Sequence, residues 1–94
     1  MPATKSNPIG YFLSDMIILY FAHARRITGL SQEEIPASTP LSVPAVWDQL
    51  IHRHPDLAPL RASSRLARDN DFLTSTALIA PTDEIALIPP VSGG

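Results

Sequence analysis

The chain closes on an apolar run, two prolines and a narrow tip, which read Ile85-Ala86-Leu87-Ile88-Pro89-Pro90-Val91-Ser92-Gly93-Gly94. The apolar residues, preceded by Glu84, predict a last β-strand over residues 84–88 that is buried on both faces. Pro89 and Pro90 each fix φ, so they hold the exit from this strand extended. These features predict a C-terminal tail over residues 89–94 that projects from the end of a sheet.

A second apolar run, over residues 16–21, is rich in β-branched and aromatic residues, and its apolar character is continuous rather than alternating. This pattern is also typical of a central strand that is covered on both faces. The most economical arrangement places the first and last strands side by side and parallel in the centre of one sheet.

Two helices are predicted between these strands. Residues 22–27 have helical spacing, and Gly29 follows them as a C-cap. A longer helix begins at the N-cap Ser42, has Pro44 in its first turn and stops at Pro55. Its apolar face consists of Val43, Val46, Trp47, Leu50, Ile51 and His54. An amphipathic helix of this kind can cover one face of a sheet.

Three shorter strands complete the pattern. Residues 31–35 predict a strand with Ile35 inward and Glu33 outward, and Pro36 either confines this strand to an edge of the sheet or ends it. The other two strands form a hairpin around an Asp-rich turn, with the strands at residues 65–68 and 72–74 and the turn at residues 69–71.

This order of elements predicts an α+β fold of the β-grasp, or ubiquitin-like, type. In such a fold one main helix packs on one face of a mixed sheet, and the C-terminal tail projects freely. We expect a flexible N-terminal extension over residues 1–14, the β-grasp domain over residues 15–88 and the extended Gly-Gly tail over residues 89–94.

Composition narrows the classes of function. A chain of 94 residues with 45% hydrophobic and 17% charged residues is typical of one globular domain. The net charge of -2 argues against a nucleic-acid partner, and the lack of cysteine excludes disulfide and thiolate sites. The longest apolar run is far shorter than the ~20 residues that a membrane span needs, so we expect no membrane association and a cytoplasmic location.

No group of side chains predicts a self-contained enzyme. His52 and His54 do not share a helix face, so we expect no metal site, and the adjacent Asp83 and Glu84 fit a turn and a strand entry. The terminal carboxylate of Gly94 is the remaining candidate. Two terminal glycines alone are a weak signal, because a frayed end or a leftover linker has the same sequence. However, the tip beyond Pro90 can reach about 13 Å at ~3.3 Å per residue, and glycine can thread a narrow channel.

The segment that runs from Asp83 to the Pro-Pro-Val-Ser-Gly-Gly ending resembles the C-terminal signature of the small subunits of molybdopterin synthase. These proteins form a MoaD-like family of ubiquitin-like sulfur carriers in molybdenum cofactor biosynthesis. The first strand, followed by Arg25-Arg26 and Gly29, is similar to the N-terminal block of that family, so the resemblance covers residues 16–94. Other β-grasp carriers, such as the thiamine-type carrier, share Gly-Gly but usually lack Pro-Pro-Val.

The resemblance implies a reaction sequence that is carried out with partners. An E1-like adenylyltransferase and sulfurtransferase would use ATP to convert the carboxylate of Gly94 into a transient glycyl-adenylate and then into a thiocarboxylate. The large catalytic subunit of molybdopterin synthase would take up the tail, and sulfur would pass to cyclic pyranopterin to form the molybdopterin dithiolene. The resemblance further implies a heterotetramer of two small and two large subunits, without a stably bound cofactor.

The resemblance also assigns roles to residues. Gly94 would react, Ser92 and Gly93 would thread the partner's pocket, and Pro89, Pro90 and Val91 would direct the tail. The family's docking surface corresponds to Phe21, Leu87 and Ile88. Two alternatives use the same Gly94 carboxylate: a ubiquitin-like modifier conjugated to lysines of other proteins, and a thiamine-type sulfur carrier. A third is a plain β-grasp interaction domain with an incidental Gly-Gly end.

Overall fold

The computed structural model describes residues 14–90, with side chains from Asp15 onward. Within this range the elements are, in order, β1 (Ser14–Tyr20), α1 (Ala22–Thr28), β2 (Gln32–Ala37), β3 (Leu41–Ser42), α2 (Val43–Arg53), a 3₁₀ helix (Pro55–Leu60), β4 (Arg65–Arg68), β5 (Asp71–Phe72), β6 (Leu78–Ile79) and β7 (Glu84–Ile88).

The main sheet has the strand order β2-β1-β7-β4-β5. Its two central strands, β1 and β7, are parallel, and Ile18 lies opposite Ile85 in their register. The other pairs in this sheet are antiparallel. The predicted central pairing and the α+β, β-grasp fold class are therefore confirmed. The two-residue strands β3 and β6 pair with each other in a separate small sheet, which the sequence pattern did not predict.

Both helices begin and end where their sequence signals predicted. The Ser42 hydroxyl accepts a hydrogen bond from the amide of Ala45 at 3.2 Å, and therefore caps α2. Gly29 follows α1 with a φ of 76°, and its amide donates to the Arg25 carbonyl at 2.8 Å. An L-residue in this left-handed conformation costs roughly 1–2 kcal/mol, which explains the glycine.

The core lies between the main sheet and α2, and it covers only one face of the sheet. Burial alternates along the two central strands, so every second side chain points into the core. The prediction that both central strands are covered on both faces is therefore wrong. The fully buried members are Met16, Ile18, Tyr20, Ile85 and Leu87, and they meet Val46, Trp47 and Leu50 of α2 in one cluster. Their neighbours Ile17, Leu19, Ala86 and Ile88 remain partly exposed.

Glu33 points toward the core face rather than outward, which corrects a second prediction. Side chains two positions apart share a face of a strand, so Glu33 lies on the same side of β2 as the buried Ile35. Its carboxylate accepts hydrogen bonds from the Tyr20 hydroxyl at 2.7 Å and from Arg53 Nη1 at 3.0 Å, and His54 Nε2 lies 2.8 Å away. This cluster ties the edge strand β2 to the C-terminal end of α2.

The contacts of Glu33 change the pKa of its carboxyl group. Burial opposes ionisation, but the hydrogen bonds from Tyr20, His54 and Arg53 together favour the carboxylate, so the pKa of Glu33 lies below its ordinary value of 4.5. Burial and the hydrogen bond to this carboxylate raise the pKa of Tyr20 far above its usual range. At pH values near 4.5, Glu33 therefore binds fewer protons in the folded state than in the unfolded state. The contribution of Glu33 to the free energy of unfolding therefore increases as the pH rises through this range.

We expect Glu33→Gln to lower the free energy of unfolding at neutral pH by about 1–3 kcal/mol, because a charge-assisted hydrogen-bond network is lost. The contribution of Glu33 is fully present above pH 4.5 and is lost as the pH falls through its lower folded-state pKa. Denaturant unfolding from neutral to strongly acidic pH should therefore show the difference between the two proteins shrinking in acid. The exposed Glu84→Gln serves as a control that changes stability by no more than about 0.5 kcal/mol. A constant difference at all pH values would contradict the assignment.

Candidate functional site

The face of the main sheet that α2 leaves uncovered is the first candidate site, and we call it the open face. It forms a groove of about 480 Å³ with a polar rim of Asp69, Asn70 and Glu84. Its apolar lining consists of Leu19, Phe21, Ala67, Phe72, Ala86 and Ile88. An exposed apolar surface with a polar rim is typical of a protein-interaction site.

Strand register explains the shape of this groove. Leu19, Ala86, Ala67 and Phe72 are paired in succession across β1, β7, β4 and β5, so they form one row on one face. The two alanines in the middle of the row are small, and the two outer residues are large. The row is therefore hollow at its centre and raised at its ends.

Phe72 is the most exposed aromatic residue on the open face, at 55% of its surface. Asp69 and Asn70 both have positive φ, as a two-residue hairpin turn requires, and this turn sets the β4–β5 register that places Phe72 beside Ala67. The Arg65 guanidinium lies 4.3 Å from the centre of the Phe72 ring, a cation–π contact that orients the ring. The position of Phe72 on the open face was missed from the sequence, although the Asp-Asn turn and strand alternation together carried the signal.

The predicted docking residues divide between the core and the surface. Phe21 is 45% exposed and Ile88 is half-buried, and both line the open face, although their contact with a partner remains a prediction. Leu87 is fully buried against the opposite face of the sheet. Its assignment to a docking surface is therefore corrected, because adjacent residues of β7 point to opposite faces.

The second candidate site is the place where the chain leaves β7, which we call the exit groove. It encloses about 570 Å³ between the start of α1 and the end of β7. Its walls are Phe21, Ala22, His23, Arg26, Ile88 and the two prolines. Pro89 is buried and Pro90 is exposed, while Val91, Ser92, Gly93 and Gly94 lie outside the described residues, as do residues 1–13. The predicted roles of the tail, and of the N-terminal extension, therefore remain predictions.

Ala22 has a φ of 49°, a left-handed conformation that costs an alanine roughly 1–2 kcal/mol. It lies at the sharp turn between β1 and α1, directly after Phe21 and before His23. This turn places both side chains on the exit groove, and Phe21 on the open face as well. The two grooves are therefore continuous through Phe21 and Ile88.

Asp83, a further polar candidate, has structural partners. The Asp83 carboxylate accepts hydrogen bonds from Arg68 Nη1 and from the Ala80 amide, each at 2.8 Å, and so closes the turn before β7. Asp83 and Glu84 thus act at a turn and a strand entry, as predicted. Within residues 14–90 there is no cluster of three or more His, Asp or Glu side chains that could hold a metal ion. None of the helices in the same range is long and apolar enough to span a bilayer.

Comparison with known proteins identifies the class to which this fold and this tail belong. The model of the ThiS family matches residues 18–94, which include the end of β1, the whole of β7 and the Gly-Gly end. The chain therefore belongs to the ThiS family of ubiquitin-like proteins.

The names of individual relatives are more specific than the name of the family. A human protein named molybdopterin synthase sulfur carrier subunit is 34% identical over 85 residues, which cover 87% of this chain and 97% of the human protein. A protein of the same name from Phaeosphaeria nodorum is 34% identical over 101 residues and covers 98% of this chain and 99% of its own length. Among solved structures, SAMP1 from Haloferax volcanii is 26% identical with a TM-score of 0.73, covering 86% of this chain and all of that one.

The division of β7 between core and surface leads to a stability test. We expect Leu87→Ala to lower the free energy of unfolding by about 2–5 kcal/mol, because it leaves a cavity in the core. The neighbouring Ile88→Ala removes a half-buried side chain from the open face and should cost about 1 kcal/mol. Denaturant unfolding of the two variants measures both values, and equal losses would mean that β7 does not alternate as described.

Proposed function

We propose that this chain is the sulfur-carrier subunit of a molybdopterin synthase and that the carboxylate of Gly94 carries the sulfur. The observation that supports this most directly is the match of the ThiS family model through residue 94, together with curated relatives that carry this name over most of both chains. The position of the exit groove beside an exposed apolar face adds a physical reason, because the tail and a docking surface are then presented to the same partner.

The chemistry follows from the terminal carboxylate. A carboxylate is a poor electrophile, so one of its oxygens must first attack the α-phosphorus of ATP, which releases pyrophosphate and forms an acyl-adenylate. Hydrosulfide then attacks the acyl carbon and displaces AMP, and loss of the proton on sulfur leaves a thiocarboxylate. The thiocarboxylate sulfur is a nucleophile that this cysteine-free chain otherwise lacks. An E1-like enzyme would carry out the activation, and cyclic pyranopterin would receive the sulfur in the large subunit of a heterotetramer.

In this proposal the domain positions the tail while its partners supply the catalytic side chains. Gly94 reacts, Ser92 and Gly93 enter the partner's channel, and Pro89, Pro90 and Val91 set the direction of entry. Glycine suits the tip because it lets a partner's backbone approach closely. The open face provides the docking contacts through Phe21, Phe72 and Ile88, since large exposed apolar side chains of this kind dominate protein interfaces.

Incubation with the cognate activating enzyme, ATP and a sulfur donor should replace one oxygen of Gly94 by sulfur. Intact-mass spectrometry followed by fragmentation of the C-terminal peptide measures the change and locates it. Deletion of Gly94, or addition of one alanine after it, should abolish the change without loss of stability, because the buried core residues in the described part of the chain lie between Met16 and Leu87.

An unchanged mass with a competent enzyme would contradict sulfur carriage. Adducts of this chain with lysines of other proteins that survive reductant would instead support the ubiquitin-like modifier. Transfer of sulfur to a thiamine precursor rather than to cyclic pyranopterin would support the thiamine-type carrier.

Phe72→Asp should weaken binding to the large subunit by about 30-fold, or ~2 kcal/mol, because it places a charge in the proposed apolar contact. Leu78→Asp is a matched control, since Leu78 is 62% exposed but belongs to the separate β3–β6 sheet. Isothermal titration calorimetry with the purified large subunit measures both affinities. Equal affinities for the two variants would exclude the open face as the docking surface.

A further inference from the structure

We propose that the chain associates with a second copy of itself through the open face, as a symmetric dimer in which the strands of the two copies run in opposite directions. The proposal is based on the charge and shape of the described residues of this face. It goes beyond the proposed sulfur transfer, because the association needs no other protein, no ATP and no sulfur.

One end of the open face carries carboxylates, which we call the acidic row. In the strand register Ile17 lies opposite both Glu34 of β2 and Glu84 of β7, so these three residues share one row across the sheet. The β4–β7 register, continued by two residues, places Asp69 at the level of Glu84, and both line the groove of the open face. All three acidic side chains are exposed.

The opposite end of the open face is basic. Arg65 of β4 pairs with Ile88 at the end of β7, two rows away from the acidic row. Beyond Ile88 the exit groove adds His23 and Arg26, and Arg25 is a further exposed cation on α1. Among the described residues that line the exit groove, none is acidic. The charge therefore changes sign along the strands.

A face with this order of charges is complementary to a reversed copy of itself. A two-fold axis that lies between two sheets and runs across their strands reverses the strand direction in the second copy. The acidic row of each copy then faces the basic end of the other. A dimer with parallel strands would instead bring the two acidic rows together, and like charges that face each other disfavour association. Because the axis repeats every contact, each favourable charge pair occurs twice.

The hollow centre of the open face determines where this axis lies. An axis through the row of Ala67 and Ala86 would place the two hollows opposite each other. Successive rows are about 6.6 Å apart, and an axis half a row closer to the exit groove lays Ile88 of each copy over Ala86 of the other. An apolar side chain then fills each hollow. The same displacement brings Glu84 of each copy to the exit groove of the other, where Arg26 lies.

The size of the open face makes this dimer weak. The sheet has five strands, and strands about 4.8 Å apart with three rows about 6.6 Å apart outline roughly 400–500 Å² on each copy. A total of about 1,000 Å² is typical of weak, transient complexes, so we expect a dissociation constant of about 0.1–1 mM. At about 1 mM chain, even the weaker value leaves half of the chains in dimers. Such a dimer yields to any partner that binds the open face more tightly.

Charge reversal at either end of the open face tests this arrangement. Glu84→Lys and Arg26→Glu each place like charges at both symmetric contacts, so each should weaken self-association about 10-fold. Both residues are exposed, so neither change should unfold the chain. Sedimentation equilibrium of the full chain at low salt, from about 10 µM to about 1 mM, measures the dissociation constants.

An equal mixture of the two variants tests the direction of the strands. In the antiparallel dimer, position 84 of one variant meets position 26 of the other, so a mixed dimer has opposite charges at both contacts. Its dissociation constant should return to within about 3-fold of that of the unmodified chain. Titration of isotope-labelled Glu84→Lys with unlabelled Arg26→Glu, followed by the amide resonances of Ala67 and Ala86, measures it. A mixed dimer no tighter than the dimers of the single variants overturns the proposal.

Asp56→Lys is the matched control, because it changes the net charge by the same amount as Glu84→Lys. Asp56 lies in the 3₁₀ helix, whose Leu57 belongs to the core on the other side of the sheet. This variant should therefore keep the dissociation constant of the unmodified chain within about 2-fold. A chain that stays monomeric at about 1 mM, or equal dissociation constants for the two lysine variants, overturns the proposal. These measurements use the chain alone, so their outcome is separate from that of the sulfur-transfer assay.

Discussion

The parallel pairing of β1 with β7 is the constraint on which the rest of the structure depends. It joins the first and last described elements in the middle of the sheet, with Ile18 opposite Ile85 and the Ile17 amide bonded to the Asp83 carbonyl at 3.1 Å. Parallel neighbours need a long crossover connection, and α1, α2 and the remaining strands all lie within it. Because the final strand is central, the tail leaves from a strand that has hydrogen-bonded neighbours on both sides and not from a frayed edge.

Because of this pairing, the apolar residues of β7 face two different environments. A chain of this length has one long helix with which to cover the sheet, so only one face is buried. Successive residues of β7 therefore point to opposite faces of the sheet. Ile85 and Leu87 stabilise the core, while Ala86 and Ile88 line the open face. An uninterrupted apolar run in a strand is therefore ambiguous. It fits a strand that is buried on both faces, and it fits equally a strand with one face in the core and one face kept apolar for a partner.

Local signals predicted most of the fold, and long-range pairing accounts for what they missed. The Ser42 cap and the Gly29 cap are determined by neighbouring residues, so the pattern located them correctly. The turn predicted at residues 69–71 is also present, but it is one residue shorter because Asp71 already pairs with Arg68 in β5. The β3–β6 pair joins segments about forty residues apart by two residues each, and such short strands carry no periodicity. The direction of Glu33 was recoverable from Ile35 by strict alternation, but the preference of carboxylates for solvent suggested the opposite. The burial of Glu33 is compensated by Tyr20 of β1, Arg53 of α2 and His54 directly after α2, which are distant from Glu33 in sequence.

For the candidate site, the sequence predicted the tail and two residues of the open face, Phe21 and Ile88. The structure adds Phe72 to the open face and places Leu87 in the core. This difference bears on how the proposed complex would form. Ordering four tail residues costs roughly 4–8 kcal/mol of backbone entropy at about 1–2 kcal/mol per residue, and the tip contains little apolar surface besides Val91. The free energy to offset that cost must come from elsewhere on the domain. Phe21, Phe72 and Ile88 can each contribute about 1.5–3 kcal/mol when they pass from full exposure to burial, and somewhat less from their partly exposed state. The sum is of the same size as the cost, which gives a physical reason for an apolar face directly beside the exit of a glycine tail.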